Sequence, residues 1–228
     1  MFRKYFQKPV ILFSSFILFT FLVSVFDRQP IGADETKVGF AAINSIFTPG
    51  HHVFFEVLSG ICGVIAILVC VFFAAVGLMQ LISGKSLKKV DSRIIVLGAF
   101  YVLTIILYIV FNLIPVNYRP FTANGELEIS YPSSHTMLAI CVFMSAVKML
   151  PMFRIPDRAK KITAYVLYAL SALTVIFRFF SGLHWFTDIV GGIIVSCAML
   201  SLFDGSLRYV RRLKKNKTAA GDTAGAEK

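Results

Sequence analysis

Arg178, His184 and Asp188 close a nearly unbroken apolar run, and a second histidine, His135, opens another. An ionised Arg or Asp at the centre of a bilayer costs about 2.5–3.5 kcal/mol on insertion scales, so such groups persist in an apolar stretch when they act together. A guanidinium offers planar donors to an oxyanion. A carboxylate beside an imidazole fixes its tautomer and stabilises the imidazolium, leaving the other ring nitrogen free to attack. A second imidazole can give and take a proton. Together these are the groups needed to handle a phosphate.

Three segments carry them. In Arg178-Phe-Phe-Ser-Gly-Leu-His184-Trp-Phe-Thr-Asp188, Gly182 allows a tight turn and Trp185 suits a membrane interface. His184 and Asp188 are four apart and would share a helix face. The plainer reading is a structural His–Asp hydrogen bond with a snorkelling arginine. Tyr131-Pro132-Ser133-Ser134-His135 reads as a helix start. Its free N–H groups and dipole would favour an anion, with His135 in the first turn. The plainer reading is an ordinary N-cap and an interfacial histidine. Arg119-Pro120 adds another cation, or merely a charged loop. His51 and His52 are given no role, and it stays open whether Glu56 or Glu126 gates access.

The elements that must position these residues follow from composition. The chain is 57% hydrophobic, and about 20 apolar residues cross a hydrocarbon core. Six runs qualify: Val10–Phe26, Val53–Ile82, Ile94–Pro115, His135–Leu150, Ile162–Phe180 and Trp185–Phe203. The expected fold is therefore all-α, a polytopic bundle of about six membrane helices over residues 1–212. A disordered basic tail is expected over 213–228, which is poor in core-forming residues. The first run is read as a retained helix rather than a signal peptide, because it is long and no small-x-small site follows Phe26. The second is longer than a span needs and is expected to tilt. Lys148 is expected to snorkel to the headgroups. Phe40, Ile43 and Phe47 fall at helical spacing, so 32–50 reads as a short interfacial helix or a loop. Cys62, Cys70, Cys141 and Cys197 sit within apolar runs without metal-ligand spacing and read as small hydrophobes.

The net charge of +11 does not point to nucleic acid. Basic residues crowd alternate connections: Arg3, Lys4 and Lys8; Lys85, Lys88, Lys89 and Arg93; Arg154, Arg158, Lys160 and Lys161; and the stretch after Phe203. The intervening connections hold only Arg28, Lys37 and Arg119. By the positive-inside rule both termini are cytoplasmic, and 27–52, 116–134 and 181–184 face outward. The three chemistry-bearing segments thus fall on one membrane face.

In this arrangement the residues resemble the type 2 phosphatidic acid phosphatase superfamily, six-helix membrane phosphatases with soluble relatives among acid phosphatases and haloperoxidases. The family pattern is Lys-x6-Arg-Pro, then Pro-Ser-Gly-His, then Ser-Arg-x5-His-x3-Asp. Arg178, His184 and Asp188 match the third block, Pro132, Ser133 and His135 the second, and Arg119 and Pro120 the first. The resemblance covers about 53–203, and its third block is the specific one. Three positions depart: the family lysine falls at Asn112, its glycine at Ser134, and the serine before the arginine at Phe177.

The resemblance implies a metal-independent phosphatase without a cofactor. His184, oriented by Asp188, would attack phosphorus and form a phosphohistidine. His135 would protonate the leaving group and then activate water. Arg119, Arg178 and the N–H groups near Ser133 and Ser134 would hold the oxygens, with Asn112 donating a hydrogen bond where the family has a charge. An outward interfacial site in the plasma membrane implies a lipid phosphate or diphosphate in the bilayer: undecaprenyl diphosphate, phosphatidic acid or phosphatidylglycerophosphate. Two alternatives are a phospho-headgroup transferase on the same fold and a degenerate lipid-phosphate binder. The oligomeric state is left open.

Overall fold

The computed structural model describes residues 3–32, 35–121 and 127–226, with the side chains of residues 3 and 217–226 excluded; Glu126 lies outside this set. The order is α1 (Arg3–Val25), β1 (Gln29–Ile31), β2 (Thr36–Val38), α2 (Ala41–Phe47), α3 (Val53–Gly84), α4 (Ser92–Phe111), α5 (Ser134–Met149), α6 (Asp157–Phe180) and α7 (Phe186–Ala226). Six helices among the described residues are long and apolar enough to cross a membrane, and they coincide with the six runs read from the sequence. The protein is a multi-pass membrane bundle.

α5 is the middle of the bundle, packed against α3, α4, α6 and α7, while α1 lies along α7. The reason is local composition. α5 buries Met137, Ala139, Cys141, Val142, Phe143, Ala146 and Met149, a mixture with small residues that lets neighbours approach. α3 instead leaves Val57, Ile61, Val64, Ile67, Leu68 and Val71 exposed, as a lipid-facing helix should. α7 comes close to the segment before α5 because residue 191 is glycine: a Cβ there would lie 2.6 Å from the Tyr131 ring.

Three expectations are revised. α7 runs as helix to Ala226. The helix at 41–47 exists, but Phe40 precedes it with φ 53°. Its inner side is Ala41 and Asn44, and Ile46 and Phe47 are exposed. Lys148 does not simply snorkel; its ammonium lies 2.8 Å from Asp204 Oδ2 on α7. Trp185 is not an interfacial anchor but is 3% exposed, its Nε1 donating to the Tyr118 carbonyl at 2.6 Å.

Candidate active site

The three segments gather at one end of the bundle. Arg178 occupies the last turn of α6 and is 3% exposed. Gly182, with φ +69°, then turns the chain hard against 49–52: a Cβ there would lie 2.4 Å from the Gly50 carbonyl oxygen. His52 N–H donates to the Ser181 carbonyl at 3.0 Å and fixes that turn. Phe177 faces away toward α3, stacked on Phe55 at 6.2 Å.

His184 precedes α7 rather than sharing a helix face with Asp188. Asp188 sits in the first turn, where Oδ2 accepts from the Trp185 N–H at 3.1 Å, the reach-back half of a capping box. Oδ1 accepts from Asn117 Nδ2 at 2.9 Å. The carboxylate is therefore occupied, and its Oδ2 stands 3.7 Å from His184 Nδ1. The expected direct His–Asp hydrogen bond is not made. The Ser130 carbonyl takes that place, 3.0 Å from Nδ1. A carbonyl can only accept, so Nδ1 carries the proton and Nε2 the lone pair. Burial above all, with the charges of Arg178 and Arg119 adding to it, holds the His184 pKa well below the usual imidazole value. The ring is neutral at neutral pH.

The second segment docks on the third: Ser133 N–H donates to the Asp188 carbonyl at 3.0 Å. That N–H is accordingly committed and cannot serve an anion, contrary to the sequence expectation. Ser133 is the N-cap of α5, yet its hydroxyl makes no capping bond. Ser134 and His135 begin the helix, where no intrahelical carbonyl reaches their N–H groups. Among the described residues, His184 Nε2, Arg178 Nε and the hydroxyls of Ser130, Ser133 and Thr136 are buried without a hydrogen-bond partner. Buried polar groups are nearly always paired, and of these Ser130 and His184 line the polar cavity described below.

Arg119 is held by a two-stranded turn, its N–H donating to the Glu128 carbonyl at 2.9 Å beside the Tyr118–Ile129 bridge. Its Nε lies 3.0 Å from Glu128 Oε2, an ion pair outside hydrogen-bond geometry. Arg119, Ser130, Ser134, His135 and His184 line one cavity of about 420 Å³, with exposed Asn112 in its wall. A second cavity of about 490 Å³ between α3, α4 and α5 is lined by apolar residues such as Val64, Ile67 and Leu138. The two share Tyr108, Ser134, His135 and Met137.

Several residues were not singled out by their sequence pattern. Asn117 bonds Asp188 and also accepts from the Gly39 N–H at 3.3 Å. Asn44 donates to Thr187 Oγ1 at 3.0 Å and accepts from the Thr187 N–H at 3.1 Å, clamping the start of α7. His51, assigned no role above, pairs with Glu56 at 2.9 Å and stacks on Phe121 at 4.5 Å. Asparagines in an extramembrane segment facing a carboxylate-bearing helix start were the one available signal.

The fold is similar to the crystal structure of a transmembrane PAP2-type phosphatidylglycerolphosphate phosphatase from Bacillus subtilis, with TM-score 0.57 and 20% identity over 89% of this chain and 97% of that one. No curated protein matches the sequence. The PAP2 superfamily model matches residues 69–211, and the chain belongs to that superfamily.

Proposed function

We propose that this protein hydrolyses a phosphate or diphosphate carried by a membrane lipid, through a phosphohistidine on His184. The observation that carries the proposal is the meeting of two unlike cavities at His135: a polar one edged by Arg119 and His184, and an apolar one open toward the bilayer. A lipid phosphate has that same division.

In the reaction, phosphate oxygens take up the open donors of Arg178, Arg119 and Ser133 and the first N–H groups of α5. His184 Nε2 attacks phosphorus, forming the N–P bond as the P–O bond to the leaving group breaks. His135 gives its proton to that oxygen. Water then attacks phosphorus, yielding its proton to His135, and the N–P bond breaks to release phosphate. Asp188, 3.7 Å from Nδ1, stabilises the positive charge that the ring gains. Such transfer depends chiefly on positioning and charge stabilisation. Asn112 supplies no charge, which leaves two arginines for the phosphate. The basic connections lie at the other end of the bundle, so the site is oriented outward, with both termini cytoplasmic. Phosphatidic acid, phosphatidylglycerophosphate and undecaprenyl diphosphate are the substrates of choice.

The test is phosphate release by the purified protein in detergent with excess chelator, across these three lipids, with His184→Ala alongside. Metal-independent release that disappears in the variant supports the reading. Full release by His184→Ala overturns the mechanism, binding without release leaves a lipid-phosphate binder, and new phospholipids formed with added alcohols identify a transferase.

A further inference from the structure

A second polar feature lies at the far end of the bundle and takes no part in the site above. Lys148 is in the last turn of α5, whose first turn holds His135; at 1.5 Å per residue the two are about 20 Å apart along the helix. There α1, α5, α6 and α7 enclose a groove of about 460 Å³. Its polar members are Lys8, Lys148, Asp204, Ser201 and the Tyr168 ring with its hydroxyl; Leu12, Met144 and Val147 continue it as an apolar trough.

The charges in the groove do not cancel. Asp204 is engaged by Lys148 at 2.8 Å, and Lys8, exposed on α1, has no acidic partner among the described residues. Ser201 lines the groove and is 8% exposed, and its hydroxyl is buried beside it without any hydrogen-bond partner. A serine in a helix ordinarily returns its hydroxyl to the carbonyl four residues back, as Ser196 does to Gly192 here. An unmatched ammonium, an unpaired hydroxyl and an apolar trough complement one ligand chemistry. That ligand is a phosphate anion with a hydrocarbon chain attached. A zwitterionic lipid fits less well, because the carboxylate that would receive its amine is already paired.

We propose that the groove between α1, α5 and α7 binds one anionic glycerophospholipid of the leaflet opposite the active site. Its phosphate lies between Lys8 and Lys148 within reach of Ser201 Oγ, and an acyl chain lies along Leu12, Met144 and Val147. The lipid thereby ties α1, outside the matched region 69–211, to the helices that carry the site.

The experiment uses the full chain in phosphatidylcholine nanodiscs doped with phosphatidylglycerol, with retained lipid counted by native mass spectrometry after release into neutral detergent. Wild type is expected to retain one phosphatidylglycerol. Lys8→Gln and Ser201→Ala are each expected to weaken retention about tenfold, as loss of a charge-assisted or hydroxyl contact does. Arg154→Gln, a cation on the same side outside the groove, is expected to retain it as wild type does. Retention of phosphatidylcholine equal to phosphatidylglycerol, no retention by wild type, unchanged retention in both groove variants, or equal loss in Arg154→Gln would each overturn the proposal.

Discussion

His184 Nδ1 donates to the Ser130 carbonyl at 3.0 Å, while the Asp188 carboxylate stands 3.7 Å away. The orientation and the charge support of the imidazole are thus divided between two groups. Ser130 keeps the proton on Nδ1, and in the proposed mechanism Asp188 opposes the charge that develops.

Asp188→Asn should therefore slow the enzyme without silencing it. The tautomer survives through Ser130, and the lost charge should cost about 10²-fold in kcat, of the order of one removed electrostatic stabiliser. His184→Ala should give no turnover. A rapid-quench measurement of phosphoenzyme should find it in Asp188→Asn and not in His184→Ala.

Removing Asn117 should act at one remove. Its amide donates to Asp188 at 2.9 Å in a buried setting, so Asn117→Ala leaves a carboxylate oxygen unsatisfied. The expected destabilisation is about 1–3 kcal/mol. kcat should fall about tenfold with KM little changed, as when an interaction made only in the transition state is weakened through the carboxylate that supports it. A fall confined to KM would argue against this positioning role.

His135→Ala should leave a slow reaction, about 10²–10⁴-fold below wild type, because it removes proton transfer rather than the nucleophile. A leaving group that needs no protonation, such as p-nitrophenol, should recover much of the loss. Comparing the two variants on an alkyl and a nitrophenyl phosphate checks it.

The pH profile follows from the depressed His184 pKa. With the neutral ring as the proposed nucleophile, the acid limb in kcat/KM should fall below pH 6.5 rather than at it. For stability the sign is opposite to that of an ion-paired histidine. The unfolded ring takes a proton below about 6.5 and the folded one does not, so stability is full above that pH and declines as pH falls through it. Melting temperatures of wild type and His184→Asn from pH 5 to 8 should converge toward the acid end.

Glu128 pairs with Arg119, its Oε2 lying 3.0 Å from Nε, and on the proposed mechanism it would compete there with the substrate phosphate. Glu128 is largely exposed, so the pair is weak. Glu128→Gln should lower KM for an anionic substrate by about two- to fivefold, within the range of an exposed pair. The effect should fade in high salt.

The six spans were legible because each is a local property: a run of apolar residues long enough to cross. The Arg178, His184 and Asp188 spacing was legible for the same reason. Asn117 was not, since its partner is 71 residues away. Asn44 and Thr187 are 143 apart, and Ser130 serves His184 through a backbone carbonyl that any residue possesses. The assumed helix face for His184 and Asp188 failed because the helix begins at Phe186. Asp188 spends one oxygen capping that start. Sequence spacing picked out the candidate residues, and tertiary contacts decided which of them touch.

The shared wall at His135 between a polar and an apolar cavity has a kinetic consequence. A catalyst built on such a divide meets its substrate as a two-dimensional solute. Its rate then tracks the mole fraction of substrate in the bilayer or micelle, so neutral detergent slows it at constant total lipid. The two products also part at that wall, the dephosphorylated lipid remaining in the hydrocarbon phase and inorganic phosphate passing to water. That separation slows rebinding of both products together at the site.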